Sequence, residues 1–268
     1  MKSFAGAAGV PSYNYSEFAS RQSDYCICIP VLNEGDRIIN ELRRAQKAGI
    51  PALADIIICD GGSKDGSMDE AGLQALGVNV LIVKTGAGKQ GAQLRCGFHL
   101  AKQRGYSGVI TIDGNDKDSI ESVPLFIEKL REGYDFVQGS RFIKGGEAVN
   151  TPFVRLVALR LIHAPLISLA AKQWFTDTTS AFRAHSARYL FDARTAIFRD
   201  VFAGYELLAY LSIRFSQLGY RGCEVPVRRA YPKTGKTPTK ISPIKGNLNL
   251  LRVLFSAVAG KYNPEETL

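Results

Sequence analysis

The sequence predicts an α/β fold, a mostly parallel sheet flanked by helices, and three observations predict it. Short apolar runs rich in β-branched residues, at 25–31, 54–59 and 78–83, have the composition of strands buried on both faces. Segments with apolar residues at helical spacing alternate with these runs, as in βαβ units. At 268 residues the chain is long enough for one core with an extension.

Taken in order, residues 1–23 carry Gly6, Gly9 and Pro11 among alternating Ser and Tyr, keep no sustained period, and read as a mobile or loosely docked leader. Order is expected from Tyr25, in a strand that Pro30 closes. Ile38, Ile39, Leu42 and Ala45 mark a helix over 36–48. The strand at 54–59 runs into the acidic turn Asp60-Gly61-Gly62-Ser63-Lys64-Asp65-Gly66-Ser67, and the strand at 78–83 into a loop with Gly86, Gly88 and Gly91. A helix over 92–103, a strand from Val109 to Asp113, a helix over 122–132 and a short strand at 136–139 follow.

From 152 to 175 the chain is amphipathic and basic, with Arg155, Arg160, His163 and Lys172 among apolar residues and a break at Pro165. It reads either as a helix packed on the sheet or as an interfacial helix on anionic lipid. A helix over 206–218, a strand at 222–227, a basic loop at 228–240 and a helix over 247–259 complete the chain. The expected divisions are a leader at 1–23, a main domain at 24–242 and a C-terminal amphipathic helix and tail at 243–268.

Hydrophobic residues make up 46% and charged residues 22%, which excludes disorder for most of the length. A formal charge of +9 favours an anionic partner. Nucleic acid ranks lowest, because the Lys and Arg residues are dispersed rather than striped with aromatics. The five cysteines, Cys26, Cys28, Cys59, Cys96 and Cys223, are an odd number without a Cys-x-x-Cys pair. Reduced thiols in a cytosolic protein are expected. No export signal precedes Pro11, and no run of roughly 20 uncharged apolar residues is present, so a location on a membrane surface is the expected limit of membrane contact.

The informative stretch is Val109-Ile110-Thr111-Ile112-Asp113-Gly114-Asn115-Asp116, where an apolar strand ends in an acid. Ligands of open α/β sheets bind beyond the carboxyl ends of strands, although Asp, Gly and Asn are also ordinary turn residues. Other loops give it company: Ile29-Pro30-Val31-Leu32-Asn33-Glu34, the Asp60–Ser67 turn, Gly139-Ser140-Arg141, Thr176-Asp177-Thr178-Thr179-Ser180-Ala181-Phe182-Arg183 and Glu224-Val225-Pro226. Together these resemble the family 2 glycosyltransferases of the GT-A fold, in particular their polyprenyl-phosphate, dolichol-phosphate mannose synthase-like branch, over about residues 25–242.

The resemblance implies a Rossmann-like GT-A sheet, a nucleotide-diphosphate sugar donor and a phosphorylated lipid acceptor. It implies that Glu34 and Asp60, with Pro30 and Asn33, hold base and ribose; carboxylates suit the base N–H groups. Gly88 and Gly91 let backbone approach the ribose or diphosphate. Asp113, Gly114 and Asn115 form the diphosphate corner, where Asp113 and Asn115 stand in the places of the family's two acids and would hold Mg²⁺ or Mn²⁺. Asn115 brings no charge, and Lys117 nearby could stand in part for the metal. Arg141, Arg155 and Arg183 are candidates for the acceptor phosphate. Asp177 serves as general base for a hydroxyl acceptor, or orients Arg183 when the acceptor is a phosphate anion. Lys240 lies in a loop, 235–242, that resembles the family's lid over the donor diphosphate. The expected activity is inverting sugar transfer to a polyprenyl phosphate, peripherally on the cytosolic membrane face. The alternatives are a saccharide or small-molecule hydroxyl acceptor, and a catalytically weak nucleotide-sugar-binding protein.

Overall fold

The computed structural model describes residues 1–232 and 245–265. Among them, nine strands form one sheet in the order β1-β2-β5-β4-β3-β6-β9-β7-β10. These are β1 (Lys2–Phe4), β2 (Tyr13–Glu17), β3 (Tyr25–Val31), β4 (Asp55–Asp60), β5 (Val78–Lys84), β6 (Gly108–Thr111), β7 (Phe136–Ser140), β9 (Arg183–Ser186) and β10 (Gly222–Pro226). β8 (Glu147–Val149) and β11 (Arg228–Ala230) pair separately and in parallel. The central β5-β4-β3-β6 run is parallel, while β9 enters antiparallel between β6 and β7.

Alternation along each strand divides the core into two layers. Cys26, Cys28, Ile57, Cys59, Val80 and Ile82 face α3 (Gln90–Gln103) and α8 (Glu206–Gln217); Ile27, Ile29, Ile56, Ile58 and Leu81 face α1 (Asp36–Lys47), α2 (Glu70–Ala75) and α4 (Val123–Arg131). The result is the expected α/β layering. α7 (Ala187–Leu190) follows β9, and α9 (Lys245–Val258) packs on α8 through Val253, Leu254 and Ala257.

Three expectations change. The leader is no loose arm: β1 and β2 pair antiparallel and extend the sheet beside β5. Tyr13 is buried, and Arg95 donates to the Gly9 carbonyl at 2.5 Å. The alternation was too short, and too hemmed in by glycine, to be read as strand. Pro30 does not close β3, which continues to Val31 with Pro30 opposite Cys59. Its missing N–H is tolerated because pairing with β6 has already ended at Cys28. Pro165 does not break its helix either. α5 (Phe153–Ala158), a π turn (Leu159–His163) and α6 (Ala164–Ala170) run on continuously, the wide turn absorbing the clash a proline makes with the preceding turn. By length and composition alone, the 18 residues Phe153–Ala170 could cross a membrane, although Arg155 and Arg160 interrupt the apolar stretch.

Gly91, the second residue of α3, packs against the backbone of 202–204, where a methyl group would lie 2.6 Å from the carbonyl oxygens of both Phe202 and Gly204. Gly91→Ala should therefore destabilise the fold by about 2 kcal/mol, read as a lower urea midpoint; an unchanged midpoint would mean that the 202–204 loop gives way freely.

Candidate active site

The loops leaving β3, β4, β6 and β7 all emerge at the same sheet edge. Asp60 Oδ2 accepts the Gly62 N–H at 2.8 Å, and its Oδ1 accepts the Ser63 hydroxyl at 2.5 Å. Asn33, at φ 49°, accepts the Lys64 N–H through Oδ1 at 2.8 Å and donates its own N–H to Ser63 Oγ at 2.8 Å. The two loops are thereby laced into one surface beside half-buried Pro30. Glu34 spends one oxygen on Arg37 at 2.6 Å. Pro30, Asn33, Glu34 and Asp60 are brought together, with Asp60 and Asn33 shaping the loops. Gly88 has φ 101°, and Gly91 packs on the backbone of 202–204.

Beyond β6, Gly114 packs so close to Ile29, Val31 and Ile38 that a Cβ would lie about 3 Å from each. That contact pins the turn. Asp113 Oδ1 accepts from Gln90 Nε2 at 2.9 Å, and Asp113 Oδ2 lies 3.6 Å from Arg229 Nη2. Asn115 Oδ1 is buried with no hydrogen-bond partner among the described residues. An orphaned acceptor costs roughly 1–3 kcal/mol, so Asn115 beside the Asp113 carboxylate fits an oxygen-seeking divalent cation. Among the described residues no cluster of three His, Cys, Asp or Glu could hold a metal by itself. Asp116, at φ 59°, turns away to Arg44 at 2.9 Å, and its N–H donates to buried Glu41 at 2.9 Å. Lys117 is buried, and burial together with the Arg229 charge pushes its amine down from the ordinary lysine value.

Arg141 and Asp177 form a bidentate pair with bonds of 2.6 and 2.9 Å, and Asp177 has no solvent exposure. Burial alone would raise the Asp177 carboxyl, but the Arg141 hydrogen bond and charge and the Thr179 N–H outweigh it and hold the group below its ordinary value. Asp177 orients Arg141, not Arg183, and as an anion locked on a guanidinium it is a poor base. Arg183 is corrected too: its guanidinium is buried and donates to the carbonyls of Thr178, Ser180 and Leu208 and to Ser212 Oγ, leaving little for a phosphate. Arg155 is exposed, its guanidinium 5.8 Å from the Tyr231 ring centre. His163 Nδ1 lies 2.7 Å from Thr178 Oγ1, joining the π turn to this network; burial first, then Arg183, pushes its pKa down to about 4. Lys240 lies outside the described residues.

The Glycosyl transferase family 2 profile matches residues 26–203. The chain belongs to that family. Undecaprenyl-phosphate mannosyltransferase of Micrococcus luteus is 32% identical over 205 residues, covering 74% of this chain and 80% of that protein. Polyprenol monophosphomannose synthase of Mycolicibacterium smegmatis is 29% identical over 134 residues, 49% of this chain and 50% of that one. The fold matches glucosyl-3-phosphoglycerate synthase from Mycobacterium tuberculosis, solved with Mn²⁺, UDP and phosphoglyceric acid, at a TM-score of 0.61 and 19% identity over 90% of this chain and 80% of that one. This family 2 member is thus a glycosyltransferase with the GT-A fold.

Sequence reasoning missed Arg229, Asp118, Gln90 and Tyr231 in this glycosyltransferase. Gln90 begins α3, and Arg229 follows the Glu224-Val225-Pro226 motif by three residues, but neither spacing announces an approach to Asp113.

Because the Asp177 pKa is depressed on folding, its pairing stabilises the fold above the ordinary Asp value near 4 and the benefit is lost as pH falls through the lower folded value. Asp177→Asn should lower stability at pH 7 by roughly 3–5 kcal/mol, and its urea midpoint should fall less than that of the parent between about pH 4 and pH 2. Parallel acid profiles for the two proteins would contradict the pairing.

Proposed function

We propose that this glycosyltransferase moves a sugar from a nucleotide-diphosphate sugar to a polyprenyl phosphate at a membrane surface, with inversion at the anomeric carbon. The observation that carries the reading is an exposed apolar, basic helix whose Arg155 reaches the Tyr231 ring, which in turn lies beside the Arg229 that contacts Asp113. Phe153, Val154 and Leu161 are 76%, 78% and 73% exposed on that helix, Arg155 and Arg160 lie among them, and His163 on the same helix bonds into the Asp177 network. An acceptor with an apolar tail and an anionic head matches both halves of the face. The similarity to an undecaprenyl-phosphate mannosyltransferase supports it.

In this reading Glu34 and the Asn33–Asp60 surface receive the nucleoside, and Asp113 and Asn115 face the diphosphate. A divalent cation held by Asp113 and Asn115 would supply charge neutralisation to the leaving diphosphate. Arg155 receives the acceptor phosphate, and Arg141, braced by Asp177, adds positive potential behind it. A phosphate oxygen is nucleophilic at neutral pH, so the chain need not supply a base, which agrees with Asp177 being committed to Arg141. The four wholly buried thiols, free like Cys223, fit a reducing compartment and hence the cytosolic face.

Incubation with nucleotide sugars and a polyprenyl phosphate should give a glycosyl-phospholipid, and Asp113→Asn should cut the rate roughly 100-fold, the scale of losing one group aimed at developing charge. Lack of transfer with every donor tried would count against the activity. In sedimentation with vesicles of anionic phospholipid, the protein should pellet, and the triple change of Phe153, Val154 and Leu161 to Ser should leave it in the supernatant; pelleting by the triple variant would remove this helix from the membrane face.

A further inference from the structure

A buried acid and a guanidinium beside the Asp113 corner form a feature with no part in the function proposed so far. Asp118 has no side-chain exposure and Arg229 is 8% exposed. Arg229 Nη1 donates to Asp118 Oδ2, fixing one end of the fork. Its Nη2 stands 3.6 Å from Asp113 Oδ2, a charge contact too long for a good hydrogen bond. The Tyr231 side chain also hydrogen-bonds the guanidinium, so the Asp113 contact is the loose one of its three.

The backbone makes the placement firm. Asp118 and Arg229 form an isolated antiparallel bridge, the Ser119 N–H donates to the Arg228 carbonyl at 2.9 Å, and the Ala230 N–H donates to the Lys117 carbonyl at 2.8 Å. The strand that carries Arg229 is thus stitched to the loop that carries Asp113. The Tyr231 ring lies 5.8 Å from the guanidinium and 5.5 Å from the Lys117 ammonium, keeping a second cation close. Burial opposes the charge on Arg229, but Asp118 and Asp113 raise its pKa, so it stays a cation.

We propose that Arg229 is a diphosphate-binding side chain of the donor site. Nη1 stays on Asp118 while Nη2 turns its charge from Asp113 to a phosphate oxygen of a nucleoside diphosphate, for which the planar fork is suited. The site then holds the diphosphate with a tethered cation as well as any divalent ion on Asp113 and Asn115, which offsets the acid missing at Asn115. This inference rests on the donor-site reading above.

Calorimetric titration of the full chain with UDP and UMP, and with GDP and GMP, in EDTA and in Mn²⁺, tests it. In EDTA the unaltered protein should prefer the diphosphate of the base it accepts by about tenfold or more, the scale of one charge-assisted hydrogen bond. Arg229→Gln should bring that ratio near one, Arg229→Lys should leave part of it, and Asp118→Asn should lower it by freeing the anchor. Thermal melting of each variant separates loss of fold from loss of contact; if Arg229→Gln does not fold, the ratios of the unaltered protein and of Arg229→Lys decide. A ratio near one in EDTA for the unaltered protein, with nucleotide binding intact in Mn²⁺, overturns the role of Arg229 alone. So does a folded Arg229→Gln that keeps the ratio. Titration with farnesyl phosphate separates the second source of phosphate: a weakening there, with the diphosphate ratio kept, would put Arg229 on the acceptor and overturn its donor role. Failure of every nucleotide to bind, with or without Mn²⁺, overturns the donor-site reading and this inference with it.

Discussion

The enclosed Arg141–Asp177 pair is the constraint on which the arrangement of the site depends. β9 must enter antiparallel between β6 and β7, and the segment at 176–182 that delivers it crosses the sheet edge where the site lies. That segment has few backbone partners of its own, so buried side chains supply them. Asp177 holds Arg141 at the end of β7, Glu224 of β10 accepts the Thr176 and Asp177 N–H groups at 2.9 and 3.1 Å, and Arg183 gathers carbonyls from both sides of the crossing. Such a pair adds little net stability over an apolar core, since desolvation consumes most of the attraction. Its contribution is to specify one path for the chain.

That use of charge limits what the same residues can do chemically. Arg141 keeps its positive field but its fork is occupied, and Arg183 is further withdrawn. The cations left near the open side are those at 155 and 160 on one helix and at 229 on β11, with Lys117 behind them. The positive potential is therefore assembled by tertiary packing instead of by one motif. Tyr231 is where the assembly meets, its ring within 5.8 Å of Lys117, Arg155 and Arg229.

The parallel half of the fold was legible because each strand is an uninterrupted apolar run and each ends in a loop with a distinctive polar pattern. The same patterns marked Asp60, Asp113, Arg141 and Asp177 as belonging to one sheet edge. What could not be read was the division of labour among them. A carboxylate that caps its own turn, as Asp60 does, and one that faces a ligand have the same letter, and only the donors within reach distinguish them. Arg183 matches a family motif, yet its partners come from the motif's own carbonyls and from α8, 25 residues on. Arg229 is the converse: it lies in no recognised motif, and what places it is a bridge to Asp118, 111 residues earlier.

The π turn at Leu159–His163 ties these levels together. An uninterrupted α-helix would carry one face from Phe153 to Ala170 in constant phase; the wider turn inserts a local shift in that phase. Before it, no residue of α5 is buried; after it, Ala164, Ile167 and Ser168 are. The shift lets the C-terminal half pack on α8 and α9 while the N-terminal half stays outside the core, and it turns His163 inward to Thr178 at the point of change. Pro165 suits this turn because its absent N–H and bulky ring are least costly where the regular ladder is already broken. A residue that reads in sequence as a helix breaker thus sits within a single helix that is both core element and exposed apolar face.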